Sequence, residues 1–299
     1  MITLLVLIAV AVFVGVGPAQ LHEFAEGLFY RRPPAAAIAP ATSHTDTDLR
    51  SHLLTVADGL AEGHLSAEAI DLQTGAIASI DAARPYPAAS LFKLPILLEV
   101  LAEEDAGQLD PNRQVTIQPD DWTDGSGVLQ ARIGDHLSVA ELTRLMIQQS
   151  DNIAALVLLD VVGVPATNAM AERLGLQQTH VVDHRAGEPG DHMTSADDMA
   201  QLLRQLATGE AVNQRVSEQA LGLLELKQSV TWLSDDLPFW VKVAHKWGDL
   251  PNDRHDAGII YTPRGSFVLA VLTENSSPEE AAAAIARASR ITYDYLGGH

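Results

Sequence analysis

The sequence predicts an α+β fold, an α/β/α sandwich: strands from both ends of the chain form one antiparallel sheet, with an all-helical subdomain inserted between them. Two observations carry this. Strand patterns lie near residues 65–80 and again near 239–273, while helical periodicity fills the middle. Strands adjacent in a fold usually pair, so the two ends are expected to share a sheet. In order, Thr47 and Asp48 are expected to cap a helix to about Ala61, with Leu49, Leu53, Leu54, Ala57 and Leu60 on one face. Leu65–Leu72 reads as a strand, Thr74-Gly75 as a hairpin turn, and Ala76–Ile80 as the return. Ser90 to about Glu104 is a long apolar helix that tolerates Pro95 in its first turn. Residues 139–207 hold several helical patterns. Phe239–Ala244, Gly258–Thr262 and Ser266–Thr273 read as successive strands, and Pro278–Tyr295 as an Ala-rich amphipathic helix. A site is expected in the cleft between sheet and helical subdomain.

The 299 residues suffice to bury a large core, and 47% are apolar. Without cysteine there is no disulfide, thiolate metal site or cysteine nucleophile. A net charge of −20 disfavours nucleic acid and anionic lipid as partners of the soluble part. Ile2–Val16 is almost wholly apolar, too short for a usual membrane span and long enough for a signal-peptide core. Residues 1–19 are therefore expected to be a signal peptide or N-terminal anchor, 20–46 a Pro/Ala/Ser/Thr-rich linker, and 47–299 the catalytic domain, exported and monomeric. Any membrane contact would run through the N-terminal segment alone.

Three short motifs can carry chemistry. Ser90-Leu91-Phe92-Lys93 places a hydroxyl and an amine on one helical face. A lysine in an apolar wall can lose its proton near neutrality and deprotonate the serine as it attacks a carbonyl. Ser150-Asp151-Asn152 precedes an apolar helix and is, alone, an ordinary N-cap. His245-Lys246-Trp247-Gly248 is expected at a strand end, where glycine permits close backbone approach.

In this order and spacing, over roughly residues 47–299, the three motifs resemble those of the class A β-lactamase and penicillin-binding-protein superfamily. The flanks Tyr86-Pro87-Ala88-Ala89 and Ile153-Ala154-Ala155 add to the resemblance. It implies Ser90 as acylated nucleophile, Lys93 as its general base, Ser150 as proton relay to the leaving nitrogen, and Lys246 as a positive group for Ser150 and an anionic substrate. Asn152 would bind the substrate's side-chain amide, and the backbone N–H groups of Ser90 and Asp249, beside Gly248, would form the oxyanion hole. The implied substrate is a small-molecule β-lactam or peptidoglycan-like amide or ester. A penicillin-binding or DD-peptidase-like protein with slow deacylation, and a non-catalytic cell-wall-binding relative, remain alternatives.

The chain departs from that pattern in three places. Trp247 stands where the family has a hydroxyl that helps bind the substrate carboxylate, so it is expected to narrow the cleft. The loop Asp183–Asp191 lacks the family's water-activating glutamate motif and offers His184, Arg185 or Glu188 instead. Ala257 falls near the family's usual arginine position, with Arg254 as a substitute. His180, His184 and His192 lack an ordered metal-ligand spacing and read as surface residues, so no metal and no cofactor are expected. Trp122 and Trp240 read as packing, and Asp120-Asp121 as a solvated face.

Overall fold

A computed structural model describes residues 44–297. The expected signal or anchor and the linker up to residue 43 lie outside the described residues. The sheet begins at His44, three residues before the expected domain start: β1 (His44–Thr45) pairs parallel with β3 (Ala76–Ile80). Helix α1 (Thr47–Ala57) is capped by Asp46, which accepts from Leu49 N at 2.9 Å, one residue ahead of the expected cap. It ends at Ala57, not Ala61, because Gly59 N turns back onto Val56 O.

The β2 (His64–Asp71)–β3 hairpin falls where the turn signal places it. Asp71 accepts from Gln73 N (2.9 Å) and Thr74 Oγ1 (2.6 Å), and Gly75 takes φ +74°. The six strands run β1–β3–β2–β10–β9–β8, with β8 (Lys242–Leu250), β9 (Asp253–Tyr261) and β10 (Phe267–Glu274). The β10–β2 pair is antiparallel and joins the two ends of the chain, as expected. Strand β8 lies at the outer edge of the sheet.

Two strand starts differ from the sequence reading. Strand β8 begins at Lys242 rather than Phe239, because Val241 N bonds Pro238 O at 2.9 Å in a turn that leaves Phe239 exposed. Strand β9 begins five residues before Gly258. Its polar start is buried because its side chains are partnered: His255 Nε2 with Pro87 O at 2.8 Å, and Asp256 with His245 Nδ1 at 2.8 Å and Leu233 N at 3.1 Å.

On one face of the sheet, α2 (Lys93–Asp105) runs through the centre of the helical subdomain, with Leu94, Ile96, Leu97, Leu98 and Val100 fully buried. A helix apolar on all sides needs neighbours all round. These are α3 (Val139–Gln148), α4 (Asn152–Val162), α5 (Val164–Arg173), α6 (Ala196–Thr208) and α7 (Gln214–Leu224). The caps of α3, α4, α6 and α7 are Ser138, Asp151, Ser195 and Asn213. The other face carries α1, short α8 (Trp232–Asp235) and α9 (Pro278–Leu296), which buries Ala281, Ala284, Ile285 and Ala288 at helical spacing. Two-residue strands β4 (Tyr86–Pro87) and β7 (Met193–Thr194) pair at the junction, and β5 (Gln114–Thr116) pairs with β6 (His136–Ser138) beside it. The α/β/α sandwich is thus present, with its cleft between β8 and the helical subdomain.

One buried acid couples this fold to pH. Glu68 on β2 bonds Ser79 Oγ at 2.7 Å and shares a hydrogen bond with Asp197 at the start of α6. Burial pushes its pKa up to about 7. The folded chain therefore holds a proton that an unfolded glutamate loses near pH 4.5. The resulting stabilisation is full below that pH and lost as pH rises through about 7. The thermal midpoint of the wild type is expected to fall more steeply from pH 5 to 8 than that of Glu68→Gln. Parallel curves would disprove the assignment.

Candidate active site

The segment entering α2 is pinned before it reaches Ser90. Strand β4 pairs with β7, His255 Nε2 donates to Pro87 O, and Ala89 takes φ +44° ahead of a single 3₁₀ turn over Ala89–Phe92. Ser90 then faces the first residue of α2. Lys93 Nζ lies 2.9 Å from Ser90 Oγ, 2.7 Å from Asn152 Oδ1, 2.6 Å from Ser150 O and 3.2 Å from Ser150 Oγ. The lysine is fully buried. Burial and the neighbouring Lys246 charge hold its pKa well below the ordinary lysine range.

Ser150 has φ +51°, a left-handed conformation unusual outside glycine. Its neighbours hold it there. Asp151 caps α4 through Ala154 N at 2.9 Å, and its other oxygen accepts from Val128 N (2.6 Å) and Leu129 N (3.0 Å). Asn152 binds the same loop, donating from N to Ser126 O and from Nδ2 to Asp124 O, both at 3.0 Å. A side chain at Gly127 would run into the Asp151 carboxylate, so loop 124–129 can wrap the turn only with glycine there.

The third wall is β8. Lys246 is fully buried, with Nζ 3.0 Å from Ser150 Oγ and 2.6 Å from Trp247 O. Burial lowers its pKa to about 7, while Asp256 and Asp249 pull it upward. Motif residues 245–248 lie inside the strand rather than at its end. A methyl group added at Gly248 would stand 2.7 Å from Ser90 N, so β8 meets the nucleophile backbone to backbone.

Ser90, Lys93, Ser150, Asn152, Lys246 and Gly248 are thus brought together. Trp247 is not placed as expected. It is 5% exposed, its ring lies edge-on to Trp232 (6.1 Å) and 4.6 Å from Lys246 Nζ, and it offers substrate almost no surface. Asp249 follows Gly248 with a partly exposed carboxylate. Arg254 donates to Leu250 O and Asp253 O within its own hairpin. The buried His245–Asp256 pair behind Lys246 escaped the sequence reading. The signal was Asp256, in a polar stretch that looked like loop but forms the strand paired with that of His245.

The loop Asp183–Asp191 holds no carboxylate bonded to Ser90 or Lys93. Glu188 accepts from Asp183 N at 2.8 Å and closes the loop on itself. Arg185 pairs with Asp121 and with Asp160 at 3.0 Å. Asp121 is therefore a buried anchor, not the solvated acid expected. His192 stacks on Phe92 (centroids 4.1 Å) beside His184 (5.0 Å), so it is not a surface histidine. Its Nδ1 accepts from Val182 N at 3.0 Å, and burial lowers its pKa to about 4, leaving a neutral ring. Trp122 is 57% exposed rather than packed, whereas Trp240 packs on Phe239. Among the described residues no group of three His, Asp or Glu could hold a metal ion.

A Ser–Lys pair, a second serine and a second lysine around one cleft define an acyl-transfer site of the serine hydrolase class. Residues 49–296 match the model of the beta-lactamase enzyme family. The extended-spectrum beta-lactamase PER-1 of Pseudomonas aeruginosa is 28% identical over 240 residues, 70% of this chain and 75% of that protein. A beta-lactamase from Sphaerobacter thermophilus is 27% identical with a TM-score of 0.77, covering 82% of this chain and 96% of that one. A variant of PBP-A, solved as its acyl-enzyme with penicillin G, is 25% identical with a TM-score of 0.79, covering 86% and 98%. The chain belongs to the beta-lactamase enzyme family and is a β-lactamase-like serine hydrolase.

Gly248→Ala tests the contact between β8 and the nucleophile. Because the clash is with backbone, Ser90 and β8 must part. Acylation is expected to slow by about 10²-fold, as when an oxyanion donor is displaced, with the circular dichroism of the fold kept. An acylation rate within threefold of wild type would refute the contact's importance.

Proposed function

We propose that the protein is exported and is acylated at Ser90 by a β-lactam or a related amide or ester, which it then hydrolyses slowly. The observation that carries this is Lys93: a buried amine, depressed in basicity, 2.9 Å from Ser90 Oγ. The neutral amine takes the Ser90 proton as Oγ bonds to the carbonyl carbon. Backbone N–H groups of Ser90 and Asp249 receive the oxyanion, a role supported by the close approach of Gly248 to Ser90 N. The C–N bond then breaks, and the leaving nitrogen takes its proton from Ser150 Oγ. That hydroxyl is replenished from Lys93, and Lys246 keeps it polarised. Asn152 is proposed to hold the substrate's amide. Water finally cleaves the ester, returning Ser90 and an acid product.

Slow release is favoured by one observation: no loop carboxylate bonds Ser90 or Lys93, and Glu188 is engaged within its own loop. Loss of a general base slows a step by roughly 10²–10⁴-fold without abolishing it. The acyl-enzyme of the PBP-A variant supports the same chemistry here. The apolar run Ile2–Val16 supports export.

Intact mass after mixing with benzylpenicillin is expected to show one added penicillin, persisting for minutes or longer, in wild type and none in Ser90→Ala. Absence of any adduct in the wild type would overturn acylation; complete turnover within seconds would overturn slow release. The acylation rate is also expected to decline above about pH 7, where Lys246 loses its proton. Lys246→Arg, which stays charged, is expected to remove that alkaline limb while lowering the maximum. An unchanged limb would assign it to another group.

A further inference from the structure

Ser150 and Lys246 come from different walls of the cleft, and their 3.0 Å contact depends on how those walls are spaced. One short segment, just past the end of α7, touches both. Gln148, the last residue of α3 and two before Ser150, donates from Nε2 to Lys227 O at 3.3 Å. The next residue, Gln228, donates from Nε2 to His245 O, directly before Lys246 on β8. The same nitrogen donates to Leu224 O, at the end of α7, at 3.4 Å. Residues 227–228 therefore bridge the segments that present the second serine and the second lysine.

The bond to His245 lies on the open edge of the sheet. Strand β8 pairs with β9 alone, so every second residue turns its carbonyl off the sheet. The His245 and Trp247 carbonyls do so, about 7 Å apart along the strand. Gln228 Nε2 takes the first and Lys246 Nζ the second. Gln228 is 5% exposed. Both its amide hydrogens meet carbonyls, which leaves Oε1 buried without a hydrogen-bond partner among the described residues. An apolar side chain would fill this place without an unpaired acceptor. What the amide adds is the tie to β8. His245 is also held through its ring, by Asp256 at 2.8 Å, so the residue before Lys246 is fixed by both backbone and side chain.

We infer that Gln228 and Gln148 are positioning residues: through the 227–228 segment they clamp β8 to the end of α3 and hold Lys246, shielded from water, against Ser150 Oγ. This rests on acylation at Ser90. It concerns how the second lysine is set, not whether the serine reacts. Burial lowers the Lys246 pKa to about 7. The charges that reach this lysine are Lys93 on α2, Asp256 on β9 and Asp249 on β8. Neither glutamine is charged, so release of the clamp acts through hydration and distance alone. A rehydrated ammonium regains basicity, and its titration moves toward the ordinary lysine range.

Gln228→Met keeps the length and packing of the side chain and removes its donors. Gln148→Ala breaks the other half of the clamp. Acylation of Ser90 by benzylpenicillin in the full-length protein is followed by intact mass between pH 6 and 9, for wild type, each variant and the double variant. In Gln228→Met the maximal rate is expected to fall roughly tenfold. The alkaline limb is expected to move upward by about one pH unit or more. Gln148→Ala is expected to shift both in the same directions, and the double variant to show less than the sum, because either break opens the clamp. A pH profile that keeps its alkaline limb in Gln228→Met, even with a lower thermal midpoint, would overturn the proposal while leaving Ser90 acylation intact. Should Gln228→Met fail to fold, an unchanged limb in Gln148→Ala would overturn it equally. A wild type that acylates without an alkaline limb would do so too, since Lys246 would then not be held out of water. No adduct on wild type would overturn both the clamp and the acylation.

Discussion

Two lysines buried against one serine hydroxyl are the constraint on which the site depends. An ammonium moved from water into a protein interior is costly unless partnered, so its proton affinity falls. Lys93 and Lys246 both reach Ser150 Oγ, at 3.2 and 3.0 Å, and neither has a carboxylate within hydrogen-bond distance. They differ in their more distant charges. Lys93 bears the repulsion of Lys246 on top of burial, against the pull of Asp151 and Asp249, whereas Lys246 is offset by Asp256 and Asp249. One amine is thereby disposed to accept a proton and the other to keep one. Each amine has two carboxylates drawing it upward, so the division of roles follows from the repulsion of Lys246 that falls on Lys93.

The scaffold is arranged to keep this cluster out of water. Helix α2 opens with Lys93 because the residues after it are apolar on every side and sink into the helical core. Ser150 is held in a strained conformation by Asp151, whose carboxylate takes three backbone N–H groups from two segments. The apposed strand contributes Gly248, where the absence of a side chain sets how close β8 comes to Ser90. The loop 183–192 is anchored differently, by Arg185 between two acids and by ring stacking on Phe92. Its geometry supports the nucleophile's helix, and no carboxylate of the loop bonds Ser90 or Lys93, which is why release is proposed to be slower than acylation.

Features encoded within a few residues were legible in the sequence. The Thr74–Gly75 turn, the Pro278 helix start and the Ser90/Lys93 spacing each depend on local backbone chemistry, and each lies where it was read. Features that depend on a distant partner were not. Asp253–Asp256 looks like loop because its polar side chains find their partners on β8, α8 and the Pro87 segment. Asp121 looks solvated until Arg185, 64 residues away, closes on it. Trp247 was expected to narrow the cleft because it stands where the family has a substrate-binding hydroxyl. Strand alternation instead turns it to the side where Trp232 waits.

The same alternation separates proton control from the cleft. Trp247, Asp249, Arg254 and Asp256 face each other in register across β8 and β9. They share the face opposite Lys246 and Gly248, with Asp256 buried and the Asp249 side chain partly exposed beside Arg254. Both carboxylates help keep Lys246 protonated from the far side of the strand. The cleft face of β8 thus carries the ammonium and the glycine that meet Ser150 and Ser90, while the charges that hold the proton on Lys246 sit behind it.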